Sequence, residues 1–342
     1  MKPAVSVIIV AYKNMDCLRT CLQAIEADKR IEIVVVNNTH QNRGFGAGCN
    51  LGVTLASAEV LLFLNPDVVT TAEAVLKLAA YARDNRDVGI VGPALTDDSG
   101  KITLSVSEQP RRRNFWLVYS FLNQWLAATK WVKPHWYNHL PPKSLADVGV
   151  VSGAVMAMRR EVFKSVGGFD EAFFLYWEEV DLARRCLDRG LRVVFQPSLV
   201  MRHEGGLSTT AAKEQVLVWF RESRAYFMKK HFGLMYAVIV EGWLAVSEHW
   251  PLTVGLIGYG LLLNPGGMIL AGLVYNEAIV VWGKVKAGML GGLSGALAFF
   301  IPGQFFYLTL VGWIMIDLTR SVRWFRKFYV LGVIVGALCL AW

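Results

Sequence analysis

VSVIIVA, residues Val5–Ala11, is a continuous apolar run rich in β-branched side chains. Such a run is typical of a strand that is buried on both faces of a parallel sheet. A helix is predicted over roughly residues 14–27, and two more buried strands follow at Ile31–Val36 and Val60–Leu64. Strands that alternate with helices predict an α/β fold with a doubly wound, mostly parallel sheet, whose ligands bind beyond the carboxyl ends of the strands.

Mostly polar residues stand at the carboxyl ends of these three strands, where a binding crevice would form. In strand order they are Ala11, Tyr12 and Asn14, then Asn37 and Asn38, then Asn65 and Asp67. Asn and Asp are also ordinary turn formers, and this is the alternative at each site taken singly. Three such sites at one edge of a sheet favour a ligand.

A glycine-rich run, NRGFGAGCNLG, spans residues 42–52. Its glycines would let backbone N–H groups approach a ligand closely, and they would equally suit a tight turn into a helix. The run does not fully match the G-x-G-x-x-G pattern of dinucleotide-binding folds.

The segment Gly167–Gly190, GGFDEAFFLYWEEVDLARRCLDRG, places three carboxylates directly after an aromatic cluster. Glu178, Glu179 and Asp181 would begin a helix that ends near Leu187, where the helix dipole favours negative charge. Aromatic faces are platforms for sugar rings, and a carboxylate held against apolar surface acts as a base near neutral pH. In the alternative interpretation, the acids only complement the helix dipole.

FDEAFFLYWEEVDL resembles the FDExFFxYxEDxDL signature of inverting glycosyltransferases of family 2, especially their rhamnosyltransferase-like members. The resemblance implies a GT-A fold and makes the second acid of the pair, Glu179, the catalytic base. Glu178 is the alternative, because this chain carries Glu where the family has Asp. The resemblance also places Tyr176, Trp177 and Asp181 on the acceptor side.

Three further elements resemble the family in the same order. Residues 42–52 match the NxGxxxxxNxG element of the nucleotide-sugar pocket, and Asn37 stands where an Asp usually contacts the nucleobase. Ser152-Gly153-Ala154 resembles the acceptor-side "GA" element, so Gly153 and Ala154 are expected there. The residues that the resemblance implies for the donor are Ala11, Tyr12, Asn14, Asn37, Asn38, Asn42, Gly44, Asn50, Asn65, Asp67 and His203.

A divalent metal is also implied by the resemblance. Asn65-Pro66-Asp67 takes the place of the family's DxD motif, and His203 in HEGGLS matches the H-x-G-G-x-S element. A hard cation that keeps substrate phosphates in its shell needs oxygen ligands. We therefore expect Mg²⁺ or Mn²⁺ to be held by Asp67 and His203, with Asn65 in support.

The C-terminal third is strongly apolar in a chain that is 54% hydrophobic overall. Residues 251–275 and 287–316 carry no charge, and each run is longer than the roughly 20 residues that a spanning helix needs. Proline and glycine interrupt both runs, so kinked helices or re-entrant hairpins are as consistent as straight spans. Large buried core helices are the alternative.

These patterns predict a GT-A glycosyltransferase domain over residues 1–228 and an α-helical transmembrane or interfacial region over residues 229–342. Lys229 and Lys230 precede the apolar region and Arg323 and Arg326 lie near its end, so the positive-inside rule places both clusters in the cytoplasm. The N-terminus lacks a signal-peptide pattern. We therefore expect a cell-membrane protein, multi-pass or deeply inserted, with a cytoplasmic catalytic domain.

The expected function is a membrane-associated inverting glycosyltransferase. It would move a sugar, rhamnose being the best candidate, from a nucleotide-diphosphate sugar to a lipid-linked (polyprenyl) saccharide in cell-surface polysaccharide assembly. The net charge of +8 fits contact with anionic membrane lipids, and we expect no nucleic-acid partner because no such motif occurs. The alternative is a non-catalytic membrane protein that binds nucleotides.

Overall fold

The computed structural model describes residues 2–12, 15–39, 42–103, 105–113, 115–119, 142–203 and 213–248. Two compact units make up the chain. The first comprises Met1–Val118 and Ala127–Phe227, and the second comprises Tyr119–Leu126 and Met228–Trp342. All the residues of the candidate site discussed below belong to the first unit.

The regular elements are numbered here in chain order. The strands are β1 (Val5–Ala11), β2 (Ile31–Asn37), β3 (Val60–Leu64), β4 (Val68–Val69), β5 (Val88–Thr96), β6 (Val106–Ser107), β7 (Ala146–Asp147), β8 (Val150–Val151), β9 (Val155–Arg159) and β10 (Arg192–His203). The helices are α1 (Met15–Gln23), α2 (Phe45–Leu55), α3 (Ala72–Asp84), α4 (Phe115–Val118), α5 (Arg160–Ser165), α6 (Glu178–Leu187), α7 (Lys213–Phe232) and α8 (Leu234–Glu248).

The main sheet has the strand order β2-β1-β3-β9-β5-β10-β4, and β7 pairs with β10 outside this path. β1 is parallel to β2 and β3, and β5 is parallel to β10. β9 lies in the middle of the sheet and is antiparallel to both β3 and β5. The prediction of a mostly parallel sheet is therefore wrong, because the sheet is mixed.

The direction of β9 follows from where the chain enters it. β9 begins directly after the turn at residues 152–154, and its first residue, Val155, pairs with Leu64 at the end of β3. The turn leads out of β8 and brings the chain to the sheet beside the last residue of β3. β9 therefore starts at the carboxyl end of β3 and runs back along it in the antiparallel direction.

Apolar residues from the strands and from two flanking helices form the core. Every residue of β1 is buried, as are Leu18 and Cys21 of α1 and Val75 and Leu78 of α3. α1 is shorter than the helix predicted over residues 14–27. β10 is a strand of 12 residues, and its last residue, His203, lies at the edge of the sheet where ligands were expected.

Within the part of the chain that the structure describes, no helix has the length and apolar character needed to cross a membrane. The uncharged runs at 251–275 and 287–316, on which the membrane prediction rests, lie outside the described residues. Asn14 and residues 204–212 lie outside them as well.

Candidate active site

A cavity of about 230 Å³ opens at the carboxyl ends of β1 and β3. It lies at the edge of the sheet where the sequence predicts a crevice. Its lining residues are Val10, Tyr12, Asn38, Asn42, Gly44, Phe45, Asn65, Pro66, Asp67, Phe174, Leu175, Tyr176, His203, Val216 and Trp219. Most of the predicted donor-side residues are therefore brought together in one place.

Asp67 and His203 face each other at this cavity. The antiparallel pairing of β4 with β10 puts His203 opposite Val68, and the Nε2 atom of His203 lies 3.3 Å from Oδ1 of Asp67. Asp67 is only 7% exposed, and its Oδ1 atom accepts no hydrogen bond with adequate geometry from the described residues. A buried carboxylate oxygen beside an imidazole nitrogen is a donor set that divalent cations accept.

The metal prediction can be tested against this donor set. No group of three or more His, Cys, Asp or Glu side chains with metal-ligand geometry occurs among the residues that the structure describes. Asp67 and His203 thus supply two ligands at most. Such a site fits an ion whose remaining positions are filled by water and by substrate phosphates.

Asn38 and Asn42 hold the loop that leads into α2. Asn38 Nδ2 donates to Asn42 Oδ1 at 2.9 Å and to the carbonyl of Gly44 at 3.1 Å, and Gly44 N–H donates to Asn42 Oδ1 at 3.0 Å. Gly44 has a φ of +98°, and a side chain there would collide with the carbonyl of Phe174. The glycine thus permits the close approach that the Phe45 N–H···O=C Phe174 bond of 3.0 Å requires.

The other glycines of this run serve packing. A β-carbon on Gly48 would lie 2.7 Å from Val10 Cγ1, and one on Gly52 would collide with Ile8 Cγ2. Because Gly48 and Gly52 have no side chains, α2 lies directly against β1. Of the four glycines in this run, only Gly44 lines the cavity, where it suits both ligand approach and entry into α2. Gly48 and Gly52 instead allow close packing.

Three predicted donor residues do not line the cavity. Ala11 is buried, and its carbonyl accepts the Asn38 N–H at 2.9 Å. Asn37 is exposed, and its side chain accepts the Thr39 N–H at 3.0 Å. Asn50 Nδ2 donates to the carbonyl of Phe169 at 2.9 Å. These three residues therefore lie outside the lining of the cavity, and their side chains or carbonyls contact neighbouring parts of the chain.

The two glutamates follow an unusual turn. Tyr176 and Trp177 have φ values of 65° and 74°, and no other non-glycine residue among those described has a positive φ. Each such residue costs roughly 1–3 kcal/mol and persists only where its surroundings enforce it. The turn reverses the chain so that Glu178 and Glu179 form the first turn of α6.

Burial sets the electrostatics of the pair. Glu178 is 4% exposed, and one carboxylate oxygen of each glutamate is buried without a hydrogen-bond partner in the described chain. Burial raises the pKa of Glu179 to about 7, although nearby backbone N–H groups lower it. Burial, with repulsion from Glu179, raises the pKa of Glu178 well above its ordinary value. Glu179 is therefore suited to exchange a proton near neutral pH.

The turn at residues 152–154 connects Glu179 with the Asp67 end of the site. Asn65 N–H donates to the carbonyl of Ala154 at 2.8 Å, and a β-carbon on Gly153 would lie 3.6 Å from Glu179 Cβ. Gly153 therefore lies directly against the side chain of Glu179, which is not itself among the residues that line the cavity. Ala154 is buried, so its part in the site is the carbonyl that holds Asn65.

Two residues predicted on the acceptor side are enclosed by the protein. Asp181 is fully buried, and its Oδ2 accepts Arg185 Nε at 2.8 Å, while Arg185 Nη1 also donates to the carbonyl of Gly168 at 2.7 Å. Trp177 is 2% exposed and its ring contacts those of Phe115 and Phe227. Neither side chain lines the cavity, whereas Phe174 and Tyr176 of the aromatic cluster do.

α7 contributes residues that the sequence analysis missed. Val216 and Trp219 line the cavity, and the ring of Trp219 lies 4.6 Å from that of Phe174. Val216, Trp219, Phe220 and Ser223 recur with the i, i+3, i+4, i+7 spacing of a helix face. That periodicity is the signal that could have identified a functional helix here.

Comparison with known proteins gives consistent matches. Two family descriptions match, "Glycosyltransferase like family 2" over residues 1–223 and "Glycosyl transferase family 21" over residues 135–324. The N-acetylglucosaminyl-diphospho-decaprenol L-rhamnosyltransferase of Mycobacterium tuberculosis is 28% identical over 226 residues, covering 62% of this chain and 73% of that protein. A rhamnosyltransferase of Escherichia coli (strain K12) is 24% identical over 230 residues, covering 58% and 83%.

Among solved structures, a mannosyltransferase from Pyrobaculum calidifontis, in complex with GDP-Man and Mn²⁺, has a TM-score of 0.46 and 15% identity, covering 94% of this chain and 87% of that one. The family 2 match begins before β1 and reaches into α7, so it includes Asp67, His203 and both glutamates. Each of the two family matches covers more than half of the chain. The chain therefore belongs to the glycosyltransferase-like family 2, with a GT-A-like mixed α/β sheet, and its later part also to glycosyl transferase family 21.

Proposed function

We propose that this glycosyltransferase moves rhamnose from a nucleotide-diphosphate sugar to a hydroxyl group of a lipid-linked (polyprenyl) saccharide, in cell-surface polysaccharide assembly. The observation that carries the proposal is one cavity that joins the Asp67–His203 pair to Tyr176, the residue two positions before Glu178. The names of the relatives support the substrate classes, since two are rhamnosyltransferases and one name specifies a decaprenol-linked sugar.

The donor is proposed to lie along the floor of this cavity. Tyr12, Asn38 and Asn42 at the β1 and β2 ends offer an aromatic ring and amides to the nucleoside, because amides can pair with both donors and acceptors. Asp67 and His203 at the other end face the diphosphate. The loop at residues 42–44 is held by its own hydrogen bonds, so this wall is formed before the donor binds.

Glu179 is proposed as the general base, with inversion at the anomeric carbon. The acceptor oxygen would form its bond to the anomeric carbon while the bond from that carbon to the diphosphate oxygen breaks. The acceptor proton passes to the Glu179 carboxylate. A pKa of about 7 lets Glu179 take that proton at neutral pH.

Asp67 and His203 are proposed to hold Mg²⁺ or Mn²⁺ together with the donor diphosphate. When bound, such an ion supplies positive charge that neutralises the departing diphosphate. The chain's own part is to present a buried carboxylate oxygen and an imidazole nitrogen at the cavity, which Asp67 and His203 do. Asn65 lies in the same lining.

We also propose that the protein is held at the cell membrane, with the catalytic unit in the cytoplasm. The support comes from the two uncharged runs, residues 251–275 and 287–316, and from the basic residues that flank the apolar region. This placement brings the active site to a polyprenyl-linked acceptor, whose saccharide lies at the surface of the bilayer.

The decisive experiment uses the purified full-length protein in detergent with a panel of nucleotide sugars. dTDP-rhamnose and an N-acetylglucosaminyl-diphospho-polyprenol acceptor should yield a disaccharide lipid, while UDP- and GDP-linked hexoses should yield little. The anomeric configuration of the product, read by NMR, tests inversion. Nucleotide binding without turnover on any donor would instead favour a non-catalytic binding protein.

A further inference from the structure

Phe220 of α7 touches both residues of the left-handed turn. Its ring centroid lies 5.9 Å from that of Tyr176 and 5.9 Å from that of Trp177. Tyr176 and Trp177 are the two non-glycine residues with positive φ among those described, so one side chain contacts both strained residues. Strain of this kind persists only where neighbouring groups enforce it.

The surrounding contacts make α7 a rigid support for this ring. Ser223 Oγ donates to the carbonyl of Leu175 at 2.9 Å, and Tyr226 Oη donates to Asp170 Oδ2 at 3.0 Å. The rings of Trp219 and Phe174 lie 4.6 Å apart on the cavity side. α7 is therefore joined to the chain from Asp170 to Trp177 by both polar and aromatic contacts.

The turn controls where the glutamates lie. Glu179 is two residues beyond Trp177 and has a buried carboxylate oxygen without a partner in the described chain. A carboxylate in that state depends on the exclusion of water. The turn that leads into α6 is itself enclosed, since Trp177 is buried. Relaxation of Tyr176 and Trp177 towards ordinary φ values would move the first turn of α6 and admit water.

We infer that Phe220 is a positioning residue: it holds the left-handed Tyr176–Trp177 turn closed and so keeps Glu179 shielded beside the donor cavity. This inference rests on the proposed function, in which Glu179 is the base. Phe220 contacts the rings of Tyr176 and Trp177, so its proposed action is through the turn and not through the reacting atoms.

The titratable groups near Glu179 are few in the described chain. Glu178 lies beside it on α6, and Cys49 of α2 faces Glu178. Asp181, one turn further along α6, is paired with Arg185. Gln109 is neutral and donates to the carbonyl of Val180 at 3.0 Å. A change at Phe220 alters none of these charges, so a shift in the pH profile would report the exposure of the glutamate pair.

The test compares Phe220→Ala and Phe220→Leu with Leu217→Ala in the full-length protein. Leu217 lies on the same helix but is 48% exposed, so its truncation controls for a general effect on α7. The readouts are kcat and KM with dTDP-rhamnose and N-acetylglucosaminyl-diphospho-polyprenol, the pH profile of kcat/KM, and binding of dTDP. Thermal melting establishes that each variant is folded.

For Phe220→Ala we expect kcat to fall about tenfold or more, the range over which a displaced base acts. Its acid-limb pKa should move down by about one unit, because a hydrated carboxyl titrates nearer its ordinary value. Phe220→Leu should show a smaller shift in the same direction, and Leu217→Ala should match the wild type in both. Binding of dTDP should be unchanged in all three.

A folded Phe220→Ala protein with a wild-type pH profile and kcat would overturn the inference, and so would an equal effect of Leu217→Ala. If Phe220→Ala does not fold, Phe220→Leu decides by the same two readouts. Absence of transfer by the wild-type protein would instead refute the proposed function. The two failures are thus distinguishable.

Discussion

His203 Nε2 lies 3.3 Å from Asp67 Oδ1, although the two residues are far apart in the sequence. Antiparallel pairing of the short β4 strand with the end of β10 brings them together, because His203 is opposite Val68, the neighbour of Asp67. The pair lines the same cavity as Tyr176, which precedes Glu178 and Glu179 by two and three residues in the sequence.

Replacing Glu179 by Gln should reduce sugar transfer by roughly 10²–10⁴-fold, which is the usual contribution of a general base. The amide keeps the size of the side chain and removes the proton acceptor, so binding of the donor should change little. Glu178→Gln is the matched control, because it makes the same change one residue earlier in the first turn of α6. Single-turnover rates with dTDP-rhamnose measure both. If Glu179→Gln keeps near-normal turnover and Glu178→Gln is inactive, the base is Glu178. If both variants are active, the mechanism is refuted.

The activity should depend on pH through the glutamate pair. Because burial raises the pKa of Glu179 to about 7, kcat/KM should fall as the pH drops below about 7 and the base becomes protonated. A pH profile of kcat/KM measures this.

The same raised pKa should make the folded protein more stable at low pH than at high pH. A carboxyl whose pKa is higher in the folded state favours folding when protonated, so this contribution is lost as the pH rises through about 7. Urea titrations of the wild type and of Glu179→Gln between about pH 5 and 8 check this sign.

Removal of the proposed metal site should abolish transfer. Asp67→Ala takes away the buried carboxylate at the cavity, so both the activity and its response to added Mg²⁺ or Mn²⁺ should be lost. Binding of Mn²⁺ in the presence of dTDP, followed by electron paramagnetic resonance, gives a readout that does not depend on turnover. Full activity of the wild-type protein in EDTA, which removes divalent ions, would refute the metal assignment. His203 and basic side chains would then stabilise the diphosphate.

Asp181 should matter for stability more than for acceptor recognition. Asp181→Ala leaves Arg185 without its ion-pair partner, and breaking such a buried pair costs about 3–5 kcal/mol. Chemical denaturation measures the loss. The KM for the acceptor in the remaining folded protein should stay near the wild-type value. A stable Asp181→Ala protein with a selectively raised acceptor KM would restore Asp181 to the acceptor site.

The membrane attachment should resist salt. Lipid contact by either uncharged run buries apolar surface that salt does not screen, whereas a purely electrostatic attachment would be released. The protein should therefore stay with membranes in high-salt and carbonate washes and need detergent for extraction. Truncation after Lys230 should yield a more soluble protein that binds dTDP but glycosylates a lipid-embedded acceptor poorly. Recovery of the intact chain without detergent would contradict both expectations.

The positions of the donor-side residues could largely be predicted from the sequence. β1, β2 and β3 each follow an apolar, β-branched run, and a polar segment after such a strand lies at the ligand-binding edge. Tyr12, Asn38, Asn65 and Asp67 accordingly line one cavity. The start of α6 at the two glutamates was predictable too, because acids after an aromatic cluster and before a helical repeat indicate a helix N-terminus.

The amino-acid pattern therefore predicts local features: which segments form strands and helices, and which polar residues end them. The direction of β9, the burial of Trp177 and Asp181, and the position of α7 beside the cavity are set by the tertiary fold. The physical reason is that exposure and strand direction depend on contacts between residues far apart in the chain. An aromatic or acidic side chain has the same local pattern whether it meets a substrate or, like Asp181 with Arg185, is enclosed by the protein.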